Sequence, residues 1–102
     1  MNTYLKAKVR EIKITGCKVE YEGSLTLSER LMERLGVSEG EQVFVNSKYG
    51  RGRIMTYVIP GREGQCELNG GAAQHFMEGE VVHLLFFRMS EPSGLKLKPI
   101  IL

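Results

Sequence analysis

The chain has 102 residues, 42% of them hydrophobic and 25% charged, with a formal net charge of +2. That describes one small globular domain with room for a core. The net charge is too small to argue by itself for a nucleic-acid or membrane partner, so neither is expected. The two cysteines, Cys17 and Cys66, have no metal-ligand cluster around them and are too few for a small secreted scaffold. They are expected to be free thiols of a reducing cytosol.

The opening segment, Met1 to Ile14, is charged and lacks the apolar run of a signal peptide. Within it, Tyr4 to Ile14 alternates, with Leu5, Ala7 and Val9 on one parity and Lys6, Lys8 and Arg10 on the other. This predicts a strand with one apolar and one basic face. Ile12 and Ile14 fall on the basic parity, so the strand should change face near Glu11. Cys17 to Tyr21 reads as a short strand with Val19 inward. Ser28 to Leu35 reads as a helix with Ser28 as N-cap, Glu29 in the first turn, and Gly36 as its stop. Leu27 and Met32 have the spacing of a hydrophobic staple, and Leu31 and Leu35 should face inward.

Glu41 to Ser47 predicts a strand, Tyr49 to Gly52 a turn, and Arg53 to Ile59 a strand that Pro60-Gly61 ends. Gln65 to Leu68 leads into an Asn69-Gly70-Gly71 turn, and Ala72 to Phe76 reads as a short helix. Val81 to Phe87 is apolar on both faces, which suits a central strand. This stretch, the longest apolar one, is broken by His83 and too short to span a bilayer. Ser90 to Gly94 is a loop, and Leu95 to Leu102 an edge segment that tolerates Pro99. Many short strands with two short helices predict a small closed β-barrel.

Spacing alone carries no chemistry. No nucleophile–His–Asp set and no phosphate loop is present, and Gly50-Arg51-Gly52-Arg53 reads as a basic turn. His75 reads as a helix surface residue and His83 as a strand residue.

Three ordered segments say more. They are Tyr21-Glu22-Gly23-Ser24, then Arg53-Ile54-Met55-Thr56-Tyr57-Val58-Ile59-Pro60-Gly61, then Leu68-Asn69-Gly70-Gly71-Ala72-Ala73. With Leu5-Lys6-Ala7-Lys8 ahead of them, the set resembles the pyruvoyl-dependent aspartate 1-decarboxylases, from about Leu5 to Phe87. The resemblance implies a mainly β fold, a six-stranded double-psi β-barrel with two or more short helices, as a single domain over residues 1–102. It implies a cytoplasmic homotetramer with active sites between neighbouring subunits. It implies conversion of L-aspartate to β-alanine and carbon dioxide in pantothenate biosynthesis. It also implies a zymogen that cleaves itself between Gly23 and Ser24 into a short β chain, residues 1–23, and a larger α chain, residues 24–102. The implied cofactor is a covalent pyruvoyl group made from Ser24, holding substrate as a Schiff base, with no metal and no pyridoxal phosphate.

These residue types suit that chemistry. Decarboxylation leaves an electron pair on the α-carbon, and a ketone that condenses with the substrate amine can accept it. No unmodified side chain is a ketone. The Ser24 hydroxyl can attack the Gly23 carbonyl, exchanging the peptide for an ester. Elimination then releases the upstream piece as a carboxylate, and the dehydroalanine left behind takes up water and loses ammonia to become pyruvoyl. Gly23 lacks a Cβ, which permits unusual dihedrals and close approach; strained backbone there would help.

The resemblance assigns Thr56 to processing, as a donor to the developing oxyanion, against the plain reading of a β-branched strand residue. Tyr57 is assigned as proton donor to the α-carbon, against a packing aromatic. Tyr21 either orients the cleavage site or packs. Lys8 and Arg53 match the positions that bind the substrate carboxylates, against a solvated basic face. Asn69, with Gly70, Gly71 and Ala72, matches the segment beside the cofactor, against a simple Asn-Gly turn.

Some positions depart from the pattern. Arg10 stands where histidine is usual, Glu11 where arginine is usual, and Gly71 where alanine is usual. The extra glycine is expected to loosen the helix start. These departures leave open a barrel that never cleaves and serves as a binding module, or a decarboxylase of another amino acid such as glutamate. They also leave open a helper protein for maturation.

Overall fold

The computed structural model describes residues 1–20, 22–50, 52–92 and 98–102. β1, Asn2–Lys13, is the expected amphipathic strand: Ala7 and Val9 are buried and Arg10 is exposed. Its partner is the antiparallel β7, Val81–Ser90. Val9 lies opposite Leu84 and Ile12 opposite Val82, so three steps on β1 meet two on β7. The extra residue is a bulge, and it switches the inward parity where the sequence changes face. Ile14 is buried as a result.

β2, Gly16–Lys18, is shorter than expected, and Val19 is exposed rather than inward. The cause lies in the partner strand. β2 pairs in parallel with β6, Cys66–Asn69, and the last pair is Lys18 with Asn69. Beyond it β6 turns away, and Val19 is left half-exposed. β3, Ser24–Ser28, is buried along its whole length.

α1, Glu29–Leu35, follows directly. The Ser28 hydroxyl accepts from the Leu31 N–H at 3.3 Å, and Gly36 takes the left-handed conformation at φ 70° that ends the helix. Leu27 and Met32 are both buried, as a staple requires, whereas Leu31 is only half-buried.

β4, Gln42–Ser47, and β5, Arg53–Gly61, form an antiparallel pair. β5 does not stop before Pro60-Gly61. It continues in parallel with β3, placing Leu27 beside Pro60 and Ser28 beside Gly61. The β4 ladder has ended by then at Gln42–Tyr57, which leaves β5 an open edge that tolerates proline. After β6, the Gly70 backbone at φ 65° makes the corner into a 3-10 helix, Gly70–His75, which starts before Ala72. β8, Ile100–Ile101, lies parallel to β1 at the edge.

The sheet order is β2-β6-β3-β5-β4-β7-β1-β8. β1 and β2 are consecutive in the chain, separated only by Ile14 and Thr15, so the ribbon closes through the chain itself. Ile14 N–H donates to Glu80 O at 2.8 Å on one side of this joint, and Thr15 N–H to Cys66 O at 2.7 Å on the other. The result is a mainly β barrel. Its strands number eight among the described residues because the short β2 and β8 add to six longer ones. Inside lie Phe86, Leu84 and Val82 of β7, Val43 and Val45 of β4, Leu25 and Leu27 of β3, and Val58 and Leu68. Full burial of each such side chain stabilises by roughly 1.5–3 kcal/mol.

Candidate active site

Ser24 opens β3 and is 2% exposed. It pairs on the antiparallel ladder with Asn69, the last residue of β6. Asn69 is also 2% exposed, and its Nδ2 donates to Ser24 Oγ at 2.9 Å and to Thr26 Oγ1 at 2.9 Å. The two hydroxyls share a face because alternate strand residues do. The amide occupies a lone pair of Ser24 Oγ, and the hydroxyl keeps its own proton to give up.

Thr26 is a site residue that the motifs missed. The signal was the alternation Ser24, Thr26, Ser28 around Leu25 and Leu27: a polar strand face that becomes buried needs an internal donor. Asn69 makes no cap bond to the 3-10 helix after it. Gly70 carries the turn, so the Asn69 side chain is free to serve the hydroxyls.

Gly23 is exposed. Its φ is outside the left-handed region, and a Cβ there would come no nearer than 4.0 Å, to Asn69 O. The expectation of strained or crowded glycine backbone is therefore corrected. The Gly23–Ser24 peptide joins an open residue to a buried hydroxyl without needing a special dihedral. Tyr21 lies outside the described residues.

The parallel β3–β5 ladder begins at Leu25–Val58. Ser24 and Tyr57 are the residues immediately before that first pair on the two strands. Thr56 is half-buried, and Tyr57, on the opposite face, is 38% exposed. Gly70 is buried, Gly71 exposed and Ala72 half-buried in the 3-10 helix that leaves Asn69. A Cβ on Gly71 would meet nothing within 4 Å, so the glycine there is not a steric requirement.

The two expected carboxylate binders stand apart. Arg53, at the start of β5, lines an open pocket of about 510 Å³ with Asn46, Phe44, Met55, Leu85 and Phe87. Lys8 lines another of about 490 Å³ with Arg10, Glu11, His83 and Leu102. Between β1 and β5 in the sheet stand β7 and β4, so the two residues lie on strands that are not neighbours. Within one chain the hydrogen bonds group Ser24, Thr26 and Asn69, Thr56 and Tyr57 lie on the adjoining strand β5, and Lys8 lies on β1 beyond β4 and β7.

Other reactive groups are quiet. Burial pushes the Cys66 thiol up to about 12. Cys17 is half-buried, is also raised by burial, and donates to Phe76 O at 3.4 Å. Lys48 is ion-paired with Glu11 and holds that carboxyl below its ordinary value. His75 is exposed on the 3-10 helix, as expected. Among the described residues no helix is long and apolar enough to cross a membrane.

The chain is similar to known proteins along its whole length. A family model described as aspartate decarboxylase matches residues 1–102. An aspartate 1-decarboxylase of Thermotoga sp. (strain RQ2) is 46% identical over 104 residues, covering 100% of this chain and 90% of that protein. One from Thermotoga petrophila is 43% identical with the same coverage. One from Christiangramia forsetii is 39% identical over 90 residues, covering 85% of this chain and 77% of that protein. Among solved structures, the rationally designed apDPBB_sym_79 protein matches with a TM-score of 0.54 at 22% identity, covering 81% of this chain and 96% of that one. That likeness speaks for the fold alone, a double-psi β-barrel. A family model that spans every residue, and relatives this similar over nearly their full length, place the chain in the aspartate 1-decarboxylase family of carboxy-lyases.

Proposed function

We propose that the chain is made as a precursor that cuts itself between Gly23 and Ser24, and that a pyruvoyl group formed at position 24 then serves the decarboxylation of L-aspartate to β-alanine for pantothenate synthesis. The observation that carries this reading is the buried Ser24 hydroxyl, fixed by Asn69 Nδ2 at 2.9 Å and joined to an exposed glycine peptide. The site suits the group, because the same Nδ2 donor is set to meet a carbonyl oxygen at position 24. When in place, a pyruvoyl group supplies the electron sink for the carboxylate's departure. The rest falls to the chain's own side chains. Thr56, on the strand beside β3, is the donor to the oxyanion during cleavage. Tyr57, the next residue on β5 and exposed, holds the proton returned to the α-carbon. Lys8 and Arg53 bind the carboxylates, with Gly70, Gly71 and Ala72 leaving the backbone open beside them.

The placing of Lys8 and Arg53 in separate pockets favours sites shared between neighbouring subunits. Met55, Phe87 and half-buried Phe44 on the same sheet face are the apolar surface such an assembly would cover, and we assign them to a homotetramer contact. A neutral interior and a modest net charge fit a cytoplasmic enzyme with no membrane or nucleic-acid partner.

The test is product formation. Cleaved protein given L-aspartate should release β-alanine, with glutamate turned over far less, and the Ser24→Ala protein should release none. Timing cleavage with and without cell extract decides whether a helper protein is needed. Product formation that survives Ser24→Ala, or none from fully cleaved parent protein, would sink the reading.

A further inference from the structure

A transverse polar row crosses the outward face of the sheet. Arg10 and Glu11 bulge on β1 opposite His83 of β7. His83 pairs with Asn46 of β4, and Asn46 with Arg53 of β5. The neighbouring row begins at Lys8 and is apolar from there on, through Leu85, Phe44 and Met55. His83 therefore lines the Lys8 pocket, and its strand partner Asn46 lines the Arg53 pocket.

His83 is half-buried, and its Nδ1 is buried with no hydrogen-bond partner among the described residues. Nδ1 is thus turned into the protein, and Nε2 is the ring nitrogen left to reach the pocket. The charges beside the ring are Lys8, Arg10 and Glu11. Glu11 is engaged by Lys48, so what remains free to meet a ligand is cationic. A pocket of that kind takes an anion.

We propose that His83 is a specificity-determining residue of the decarboxylase site: its imidazole, together with Lys8 and Arg10, holds one carboxylate of a dicarboxylic substrate. This rests on the functional reading above, and the test separates the two.

Full-length Ser24→Ala protein, which cannot form the pyruvoyl group, is titrated calorimetrically with succinate, an aspartate without its amine. Succinate should bind. His83→Leu should weaken it about tenfold, the size expected for losing one charge-assisted hydrogen bond. His83→Gln keeps a polar group near the Nε2 position and should stay within about threefold of its parent. Thermal unfolding of both variants checks that the fold is kept. In cleaved enzyme His83→Leu should raise KM for aspartate by more than it lowers kcat. Failure of the Ser24→Ala protein to bind succinate, equal affinity with and without His83→Leu, or equal losses for Leu and Gln would overturn the assignment. Cleaved protein that makes no β-alanine would overturn the enzymatic reading instead, and the succinate result would stand on its own.

Discussion

Replacing Asn69 with alanine should unlatch β3 from β6. The amide serves two hydroxyls at 2.9 Å each, and the three residues are 2%, 2% and 9% exposed for Ser24, Asn69 and Thr26. Water cannot readily replace the lost donor. Each orphaned hydroxyl costs about 1 kcal/mol, because it can still donate its own proton elsewhere. The emptied volume adds about 1 kcal/mol more. The sum is about 2–4 kcal/mol, which for a domain of this size lowers the melting temperature by about 10–25 °C. The measurement is thermal and urea unfolding in the Ser24→Ala background, so that chain cleavage does not confuse the comparison. Protein concentrations must match, because assembly would raise the apparent stability. A double-mutant cycle with Thr26→Val sharpens the test. Thr26→Val should cost less once Asn69 is gone, with a coupling of about 1 kcal/mol. A loss below about 1 kcal/mol for Asn69→Ala, or no coupling, would refute the claim that this network organises the site.

Two further outcomes follow from the packing. Gly71 has ordinary backbone and open space around its missing Cβ, so Gly71→Ala should stabilise by about 0.4–1 kcal/mol; a loss of stability in urea unfolding would contradict this. Burial raises the Cys66 thiol from 9.0 to about 12, so the folded state retains a proton that the unfolded chain gives up. That stability is fully present below about pH 9 and is lost as pH rises toward 12, and Cys66→Ala should flatten the alkaline slope of stability against pH.

Local signals were legible and long-range ones were not. α1 was readable because its N-cap, first-turn acid, staple and terminal glycine all lie within ten residues or so of one another. The face change near Glu11 was readable too, since a bulge leaves its mark on the parity of Ile12 and Ile14. Val19 was misplaced because the end of β2 is decided by where β6 turns, far along the chain. β5 ran past Pro60-Gly61 for a similar reason: its parallel partner β3 supplies the pairing that a local proline rule cannot see. At the site, Ser24, Thr56 and Tyr57 stood out as motifs, but that β3 and β5 pair side by side is decided by the sheet and not by the motifs. Thr26 was hidden by looking like an ordinary strand residue. His83 is the strand residue it was read as, yet its place in a row from Arg10 to Arg53 exists only after four strands are paired. The separation of Lys8 from Arg53 is likewise a property of the sheet order and not of spacing along the chain.

Intact-mass spectrometry under denaturing conditions tests the central claim most directly. The account predicts that purified protein, after incubation, resolves into two pieces: residues 1–23 ending in a free carboxylate, and residues 24–102 lighter by one ammonia than a fragment beginning with serine. Ser24→Ala protein should remain whole. A parent chain that stays at its full 11.5 kDa, or a larger fragment that begins with unmodified serine, would contradict it.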